Sequence, residues 1–176
     1  MSEYLNDTFK TIHNRKTVRH FTEQTISDEL LLELVKAGMA APTALNTQPW
    51  EFIIINDKNT MKKFAGSLQF SKMLDSATSA IVVCTNPEKA NGKHMDFAVI
   101  DATLASENIL LAAESLGLGG AWVALHPKDV AVTYIRGELG IPESIVPLNI
   151  IPLGYPTGSE HVKDKFNPDI IHYEKW

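Results

Sequence analysis

Residues 95–116, MDFAVIDATLASENILLAAESL, constrain the fold more than any other stretch of this chain. They are rich in Ala and Leu and contain only four charged residues, all of them acidic. A helix with so little polar surface has almost no face to offer to water, so we expect it to lie near the centre of the molecule. Gly117 follows directly and predicts the end of this helix. The other elements must therefore pack around it.

Helical patterns alternate with apolar runs along the rest of the chain. Besides residues 95–116, helices are expected over residues 3–14, 28–40, 57–64 and from about 126–129 to Gly140. Ser27 and Asp57 are good N-caps for two of them. Apolar runs predict strands at Trp50–Asn56, Ser79–Thr85, Gly120–Leu125 and Ile145–Leu153. We interpret residues 1–176 as one domain of mixed α and β structure, with a polar tail whose apolar end docks on its own chain or on a partner.

Composition narrows the possible classes of function. The net charge is −5, which gives no general attraction for nucleic acid, so no nucleic-acid partner is expected. The one cysteine, Cys84, lies in an apolar run and excludes an intramolecular disulfide, as is typical of a reducing, cytoplasmic setting. No segment has the length of a membrane span or of a signal-peptide core, so no membrane partner is expected.

Common nucleotide and metal motifs do not occur in the sequence. Residues 117–122, GLGGAW, resemble a dinucleotide fingerprint, but they lack its third glycine and precede a predicted strand rather than a helix. There is no GxxxxGK[ST], no HExxH and no CxxC. The six histidines have no partners at ligand spacing, so no metal site is predicted. A phosphorylated ligand would have to bind in another way.

The segment RKTVR, residues 15–19, is the first of three clusters that could carry chemistry. Arg15, Lys16 and Arg19 place three positive charges around the Thr17 hydroxyl. A phosphate dianion needs charge-assisted donors, and arginine supplies them as a planar fork. A solvated basic patch at the end of a helix explains the same residues. Taken alone, the patch is the better explanation.

The loop APTALNTQPW, residues 41–50, is the second cluster, and it leads into a predicted buried strand. Two prolines stiffen it, while Thr43, Asn46 and Gln48 offer donors and acceptors to a flat polar edge. The alternative is that these side chains satisfy the backbone of the loop itself. For Asn46 and Gln48 the two interpretations are equally good, whereas Trp50 is interpreted as a packing anchor.

The turn GLGGAWVAL, residues 117–125, is the third cluster. Glycine permits the backbone to approach a ligand closely. A helix end followed by a turn explains Gly117 fully. It explains the pair Gly119 and Gly120 less well.

In this order, the three clusters resemble the nitroreductase family of FMN-dependent oxidoreductases. RKTVR and APTALNTQPW are the most specific pieces, and LGLGGAW, LGYP and the closely spaced basic residues of the tail add support. The resemblance extends from Arg15 to about His172. It implies an α+β fold in which helices wrap a central, mostly antiparallel sheet. It also implies an interlocked homodimer with FMN in two clefts at the subunit interface.

The resemblance further assigns residues to the cofactor. It implies that Arg15, Lys16 and Thr17 grip the phosphate and ribityl chain, and that Arg19 reaches the pyrimidine end of the flavin. The other implied FMN contacts are the loop residues Pro42, Thr43, Asn46 and Gln48, the strand residues Trp122, Val123 and Ala124, and the tail residues Lys163 and Lys165. Gln48 could serve the FMN of either subunit. No catalytic side chain is implied, because flavin itself takes and gives the hydride.

The activity implied by the resemblance is hydride transfer from NADH or NADPH to a small electron-poor acceptor, such as a nitroaromatic or a quinone, with ping-pong turnover. Alternatives are another flavin chemistry (reductive dehalogenation or flavin breakdown), an FMN-binding protein without turnover, or an interaction module with a basic surface. Larger family members carry an extra helical excursion over the pocket. In this shorter chain, residues 66–93 occupy the corresponding region, so we expect a more open pocket than in the larger members.

Overall fold

A computed structural model describes residues 7–176 of the chain. Within them lie five α-helices, α1 Asp7–Asn14, α2 Asp28–Met39, α3 Lys58–Ser67, α4 Met95–Ser115 and α5 Asp129–Leu139. The strands are β1 Trp50–Ile55, β2 Ser79–Thr85, β3 Gly119–Gly120, β4 Val123–Ala124 and β5 Val146–Gly154. The first part of the first predicted helix, residues 3–6, lies outside the described residues. No helix among residues 7–176 combines the length and apolar character needed to cross a bilayer.

The helix α4 buries one face in the core, but its opposite face is exposed within a single chain, so the predicted central position is met on one side only. Three small side chains along it, Ala98, Ala102 and Ala105, have no exposed surface at all. The neighbouring helix α2 comes so close that a Cβ atom on Gly38 would lie 3.0 Å from Ile109 Cγ1. Small residues on both helices therefore allow the tight packing that this long apolar segment requires.

The sheet is antiparallel throughout, in the order β1-β2-β5-β3, and β4 also pairs with β5. Every residue of β2 is buried, because helices cover both faces of the sheet. One face holds a core with Phe64 of α3 and Ile135 of α5, and the other holds a core with Leu34 of α2 and Ile109 of α4. These observations confirm the predicted α+β fold with its mostly antiparallel sheet.

Both predicted N-caps are confirmed. Ser27 Oγ accepts a hydrogen bond of 3.3 Å from the backbone N–H three residues on, at the start of α2. Asp57 Oδ2 does the same at 2.8 Å at the start of α3. The helix α3 runs on to Ser67, three residues past residue 64 and next to Gly66, and α5 begins at Asp129, within the predicted start at residues 126–129.

The strand predicted over Gly120–Leu125 is interrupted at residues 121–122, which separates β3 from β4. Both pieces pair with β5 in the same register, and Ala121 N–H donates to Pro152 O at 3.3 Å between them. On its other side, β3 takes a second neighbour: Thr17 forms a parallel bridge with Gly120, and Val18 N–H donates to Gly120 O at 2.9 Å. The RKTVR segment therefore runs as extended chain beside β3.

Close approach to this chain's own residues explains the glycine pair of β3. A Cβ atom on Gly119 would lie 2.6–2.8 Å from three side-chain atoms of Val18. A Cβ atom on Gly120 would lie 2.9 Å from Leu110 Cδ2. Both distances are shorter than van der Waals contact allows. Gly119 requires the absence of a side chain, because the β-branched Val18 cannot move aside, whereas at Gly120 the end of the Leu110 side chain would have to shift.

The tail is mostly irregular within the described residues, apart from a short 3₁₀ turn at Pro168–Ile170. Its apolar residues remain in solvent, with exposed fractions of 73% for Ile170, 83% for Tyr173 and 102% for Trp176. The structure therefore does not show docking of the tail end on its own chain, one of the two predicted alternatives. Docking on a partner stays a prediction.

Replacing Gly119 with Ala is expected to destabilise the protein, because the added methyl group would overlap Val18. Overpacking of this kind costs about 1–3 kcal/mol, measurable as a lower midpoint of urea unfolding. Gly137→Ala in α5 is the matched control, since nothing lies within 4 Å of the added atom. It should raise the stability by about 0.5–1 kcal/mol. Similar midpoint shifts for both variants would contradict the proposed close approach.

Candidate functional site

The structure brings two distant basic segments together around one cavity of about 340 Å³. The first is the extended RKTVR segment beside β3, and the second is the start of the tail. The residues that line this cavity are Arg15, Lys16, Thr17, Arg19, Glu160, His161, Lys163 and Lys165. All six residues that the resemblance assigned to these two segments therefore lie together.

Glu160 ties the tail to the basic segment. Its Oε1 atom accepts hydrogen bonds from the backbone N–H groups of Arg19, at 2.8 Å, and His20, at 3.0 Å. The same oxygen lies 2.9 Å from His20 Nδ1. Thr157 N–H donates to His20 O at 3.1 Å, which adds a main-chain link between the two segments. These bonds place the two tail lysines opposite the arginines.

The protonation of Glu160 reflects these contacts. Burial raises the pKa of this carboxyl group, but hydrogen bonds from Arg19, His20 and Ser159 lower it by more, so its pKa lies below the ordinary value of 4.5. The carboxylate is therefore charged near neutral pH. In that state it can accept all of these hydrogen bonds.

The cations of the cavity fall into two groups. Arg15 and Lys16 are paired with α4: Arg15 Nε lies 3.0 Å from Glu107 Oε1, and Lys16 Nζ lies 3.4 Å from both carboxylate oxygens of Glu114. The side chains of Arg19, Lys163 and Lys165 make no ion pair with any carboxylate in residues 7–176. The cavity therefore carries positive charge that the described chain does not neutralise, as an anion site requires.

A second cavity of about 570 Å³ adjoins the first, and Thr17 and Arg19 line both. Trp122 and the residues from Phe70 to Ser76 provide much of its wall. Aromatic and aliphatic side chains supply most of the surface of this wall, so the second cavity is mainly apolar, although Arg19, His20, Lys72 and Asp75 also line it. The site thus has a basic end and an apolar end, and Arg19 lies where they meet.

The three strand residues assigned to the cofactor lie in three different environments. Trp122 lines the apolar cavity, as does Ala121, which the sequence did not single out. Val123 is buried in the core and pairs with β5. Ala124 borders a separate cavity beside α5. Residues 121–122, where the ladder between β3 and β4 is interrupted, therefore form the wall, and the whole stretch 122–124 does not.

The loop residues assigned to the cofactor, which are Pro42, Thr43, Asn46 and Gln48, line neither cavity of the described chain. Gln48 N–H donates to Thr43 Oγ1 at 3.2 Å, and Gln48 Nε2 donates to Asn46 Oδ1 at 2.9 Å. These bonds satisfy the loop itself, which was the alternative interpretation. Contact of this loop with FMN in the cleft of a partner subunit remains a prediction.

Three features of the site had no clear signal in the sequence: His20, Glu160 and the segment 70–76. Glu160 is one acidic residue in a polar tail, and only its contact with the backbone of residues 19 and 20 distinguishes it. Segment 70–76 forms one wall of the apolar cavity, in the region where a reduced lid was expected. It adds the cation Lys72 and the exposed ring of Phe70, whose φ of 58° is rare outside glycine.

Comparisons with known proteins agree with the motifs. The model of the Nitroreductase family matches residues 12–69 and 67–155, so the chain belongs to this family. An Archaeoglobus fulgidus protein named "Putative NADH dehydrogenase/NAD(P)H nitroreductase" is 41% identical, over 98% of this chain and 100% of its own. A crystal structure of a protein with that name from Parabacteroides distasonis has a TM-score of 0.92 and 41% identity, over 98% of this chain and 100% of its own. The structure of an FMN-dependent nitroreductase from Clostridium difficile has a TM-score of 0.87 and 26% identity, over 96% of this chain and 99% of its own.

Replacing Glu160 with Gln is expected to lower the stability near neutral pH, because the charged acceptor of several hydrogen bonds is lost. The folded pKa of Glu160 lies below 4.5, so its contribution is present above that pH and disappears as pH falls through the folded pKa. The difference in urea midpoint between the wild type and Glu160→Gln should therefore shrink in acid. Glu33→Gln, which breaks an exposed pair with Lys36, is the control, with an expected change of at most about 1 kcal/mol.

A midpoint difference for Glu160→Gln that stays constant from neutral to strongly acidic pH would show that the carboxylate charge does not hold the two segments together.

Proposed function

We propose that this protein is an FMN-dependent oxidoreductase that transfers hydride from NADH or NADPH to a small electron-poor acceptor, such as a nitroaromatic or a quinone. The observation that carries the proposal is the pair of joined cavities, one basic and one apolar, that meet at Arg19. Their chemistry matches a cofactor with a phosphate at one end and an aromatic ring at the other. FMN, when bound, takes the hydride from the reductant and gives it to the acceptor.

The donors of the basic cavity fit a phosphate monoester. Such a group carries close to two negative charges at neutral pH and several acceptor oxygens. Lys163 and Lys165 offer cationic donors that no carboxylate in the described chain neutralises, while Arg19 stands where the basic cavity meets the apolar one. The hydroxyl of Thr17 adds a neutral donor. The contacts with Glu107 and Glu114 on α4 would keep Arg15 and Lys16 ordered beside the phosphate.

The apolar cavity fits the ring and the two substrates that exchange electrons through it. Trp122 would pack along the ring, and the cation Arg19 would favour the acceptance of negative charge by the bound cofactor. We infer that the reductant leaves before the acceptor enters the same space, which is ping-pong turnover.

The thiol of Cys84 offers no alternative nucleophile, because it is buried and desolvation raises its pKa to about 12.

A homodimer is part of the proposal. The side chains of Phe97, Ile100 and Leu104 are 39%, 53% and 40% exposed along one stripe of α4. The apolar tail end is exposed as well. An exposed apolar stripe such as that of α4 marks an interaction site, and a second copy of the chain would cover it. The same contact would bring the loop with Asn46 and Gln48 to the cleft of the partner.

We further infer that residues 1–176 act as one domain in the cytoplasm.

Visible spectra test the cofactor and the reaction together. The purified protein, after incubation with FMN and removal of free flavin, is expected to show the flavin absorbance bands, and anaerobic NADH or NADPH should bleach them. Adding a nitroaromatic or a quinone should restore the bands. A colourless protein that takes up no FMN would rule out the proposed function. Bound FMN that neither nucleotide reduces would indicate a flavin carrier, and reoxidation only by a halogenated tyrosine would indicate dehalogenation.

Arg19→Ala is expected to weaken FMN binding at least tenfold, because it removes a charged donor shared by both cavities. Fluorescence titration of apo-protein with FMN measures this loss. Lys62→Ala is the matched control, since it removes one exposed positive charge from α3, away from the cavities. Equal FMN affinity in the two variants would contradict the assigned site.

Leu104→Glu is expected to convert the dimer into monomers, because it places a charge in the apolar stripe of α4. Light scattering coupled to size-exclusion chromatography gives the molar mass, and the mass expected for one chain is 19.5 kDa. Val130→Glu on α5 changes another exposed apolar residue outside the stripe and should leave the dimer intact. A dimer that survives Leu104→Glu would exclude the stripe from the interface.

A further inference from the structure

Asp101 is a buried carboxyl group that the proposed chemistry does not use. It lies on α4, and only 2% of its surface is exposed. Its Oδ1 atom accepts a hydrogen bond of 3.2 Å from the backbone N–H of Ala44, while Oδ2 has no hydrogen-bond partner within residues 7–176. Burial raises the pKa of Asp101, and the bond from Ala44 opposes this shift. Since burying such a group is unfavourable, its position calls for a role beyond packing.

The loop that Asp101 contacts has an unusual backbone. Leu45, Asn46 and Gln48 have φ angles of 55°, 57° and 49°. Residues other than glycine rarely adopt this left-handed conformation, and they keep it only where the surrounding structure holds them. Asn46 and Gln48 are both exposed, and their side chains are joined to each other at 2.9 Å.

Buried groups hold this loop at both ends. At the first end, Asp101 binds the N–H of Ala44. At the second, Pro49 O accepts hydrogen bonds from the N–H of Asn86, at 2.6 Å, and from the hydroxyl of the buried Thr85, at 3.3 Å. The strained residues lie between these two points. Asp101 is therefore the one side chain of α4 that bonds to residues 43–48 in the described chain.

We propose that Asp101 is a positioning residue that holds residues 43–48 in the conformation needed to present Asn46 and Gln48 to the flavin. It does so through Ala44 and does not itself touch the cofactor. The inference rests on the proposed function. It adds a specific residue outside both cavities on which the cofactor-binding loop depends.

Two substitutions at Asp101 test this role by fluorescence titration of apo-protein with FMN. Asp101→Ala removes the acceptor for Ala44 N–H and should raise the Kd for FMN about tenfold, the loss of roughly one hydrogen bond. Asp101→Asn has nearly the same shape and keeps an oxygen acceptor. Its Kd should stay within about threefold of the wild type. Wild-type FMN affinity in Asp101→Asn would therefore show that the hydrogen bond to Ala44, and not the charge of Asp101, positions the loop.

Ser106→Ala is the matched control on the same helix. Ser106 is also fully buried, donates to Ala102 O and accepts from Asn149 Nδ2, but it forms no hydrogen bond with residues 43–48 in the described chain. This variant should lose stability to urea and keep the wild-type Kd for FMN. Hydrogen–deuterium exchange of a peptide covering residues 42–50 should accelerate in Asp101→Ala and stay unchanged in Ser106→Ala.

Wild-type FMN affinity in Asp101→Ala would overturn the inference, as would equal weakening in Asp101→Ala and Ser106→Ala. If Asp101→Ala does not fold, Asp101→Ser takes its place, because its hydroxyl oxygen is one bond too short to reach Ala44 in the same way. A wild-type protein that binds no FMN would instead refute the proposed function. In that case the exchange of residues 42–50 still reports whether Asp101 holds the loop.

Discussion

The site depends on the close approach of two backbone segments, residues 17–18 and the glycine pair of β3. Val18 N–H bonds to Gly120 O at 2.9 Å, and Gly119 leaves the space that the Val18 side chain fills. Without this contact, the RKTVR segment would have no fixed place beside the sheet. With Val18 fixed in the core, the neighbouring Thr17 and Arg19 line the two cavities. A packing constraint thus sets the geometry of a polar site.

The helix α4 supports this geometry with its few charges. Glu107 pairs with Arg15, Glu114 pairs with Lys16, and Asp101 bonds to the loop at Ala44. Three of its four acidic residues thus contact segments that the resemblance assigned to the cofactor. Charged groups on an otherwise apolar helix are costly unless they are paired, and Glu107 and Glu114 both meet this condition. The pairing explains how α4 serves as a core element and as a support for the site.

Local signals in the sequence predicted much of the fold. The caps at Ser27 and Asp57 and the apolar runs of β1, β2 and β5 follow from short-range rules, so their bounds were correct to within a few residues. The contact of residues 17–18 with β3 was missed, because an apolar run reports burial and does not report which neighbour supplies the hydrogen bonds. The second neighbour of β3 lies about a hundred residues earlier in the chain.

The sequence by itself determined the chemistry of the site: a cluster of cations with a hydroxyl, a polar loop, a glycine pair and two basic residues in the tail. These are properties of side chains, and they were specific enough to identify the family. Only the tertiary structure decided which of them meet. It placed Lys163 and Lys165 opposite Arg15 and Arg19 through Glu160, and it placed the loop of Asn46 and Gln48 outside the cavities of its own chain. Such proximity depends on long-range packing, which local sequence patterns do not encode.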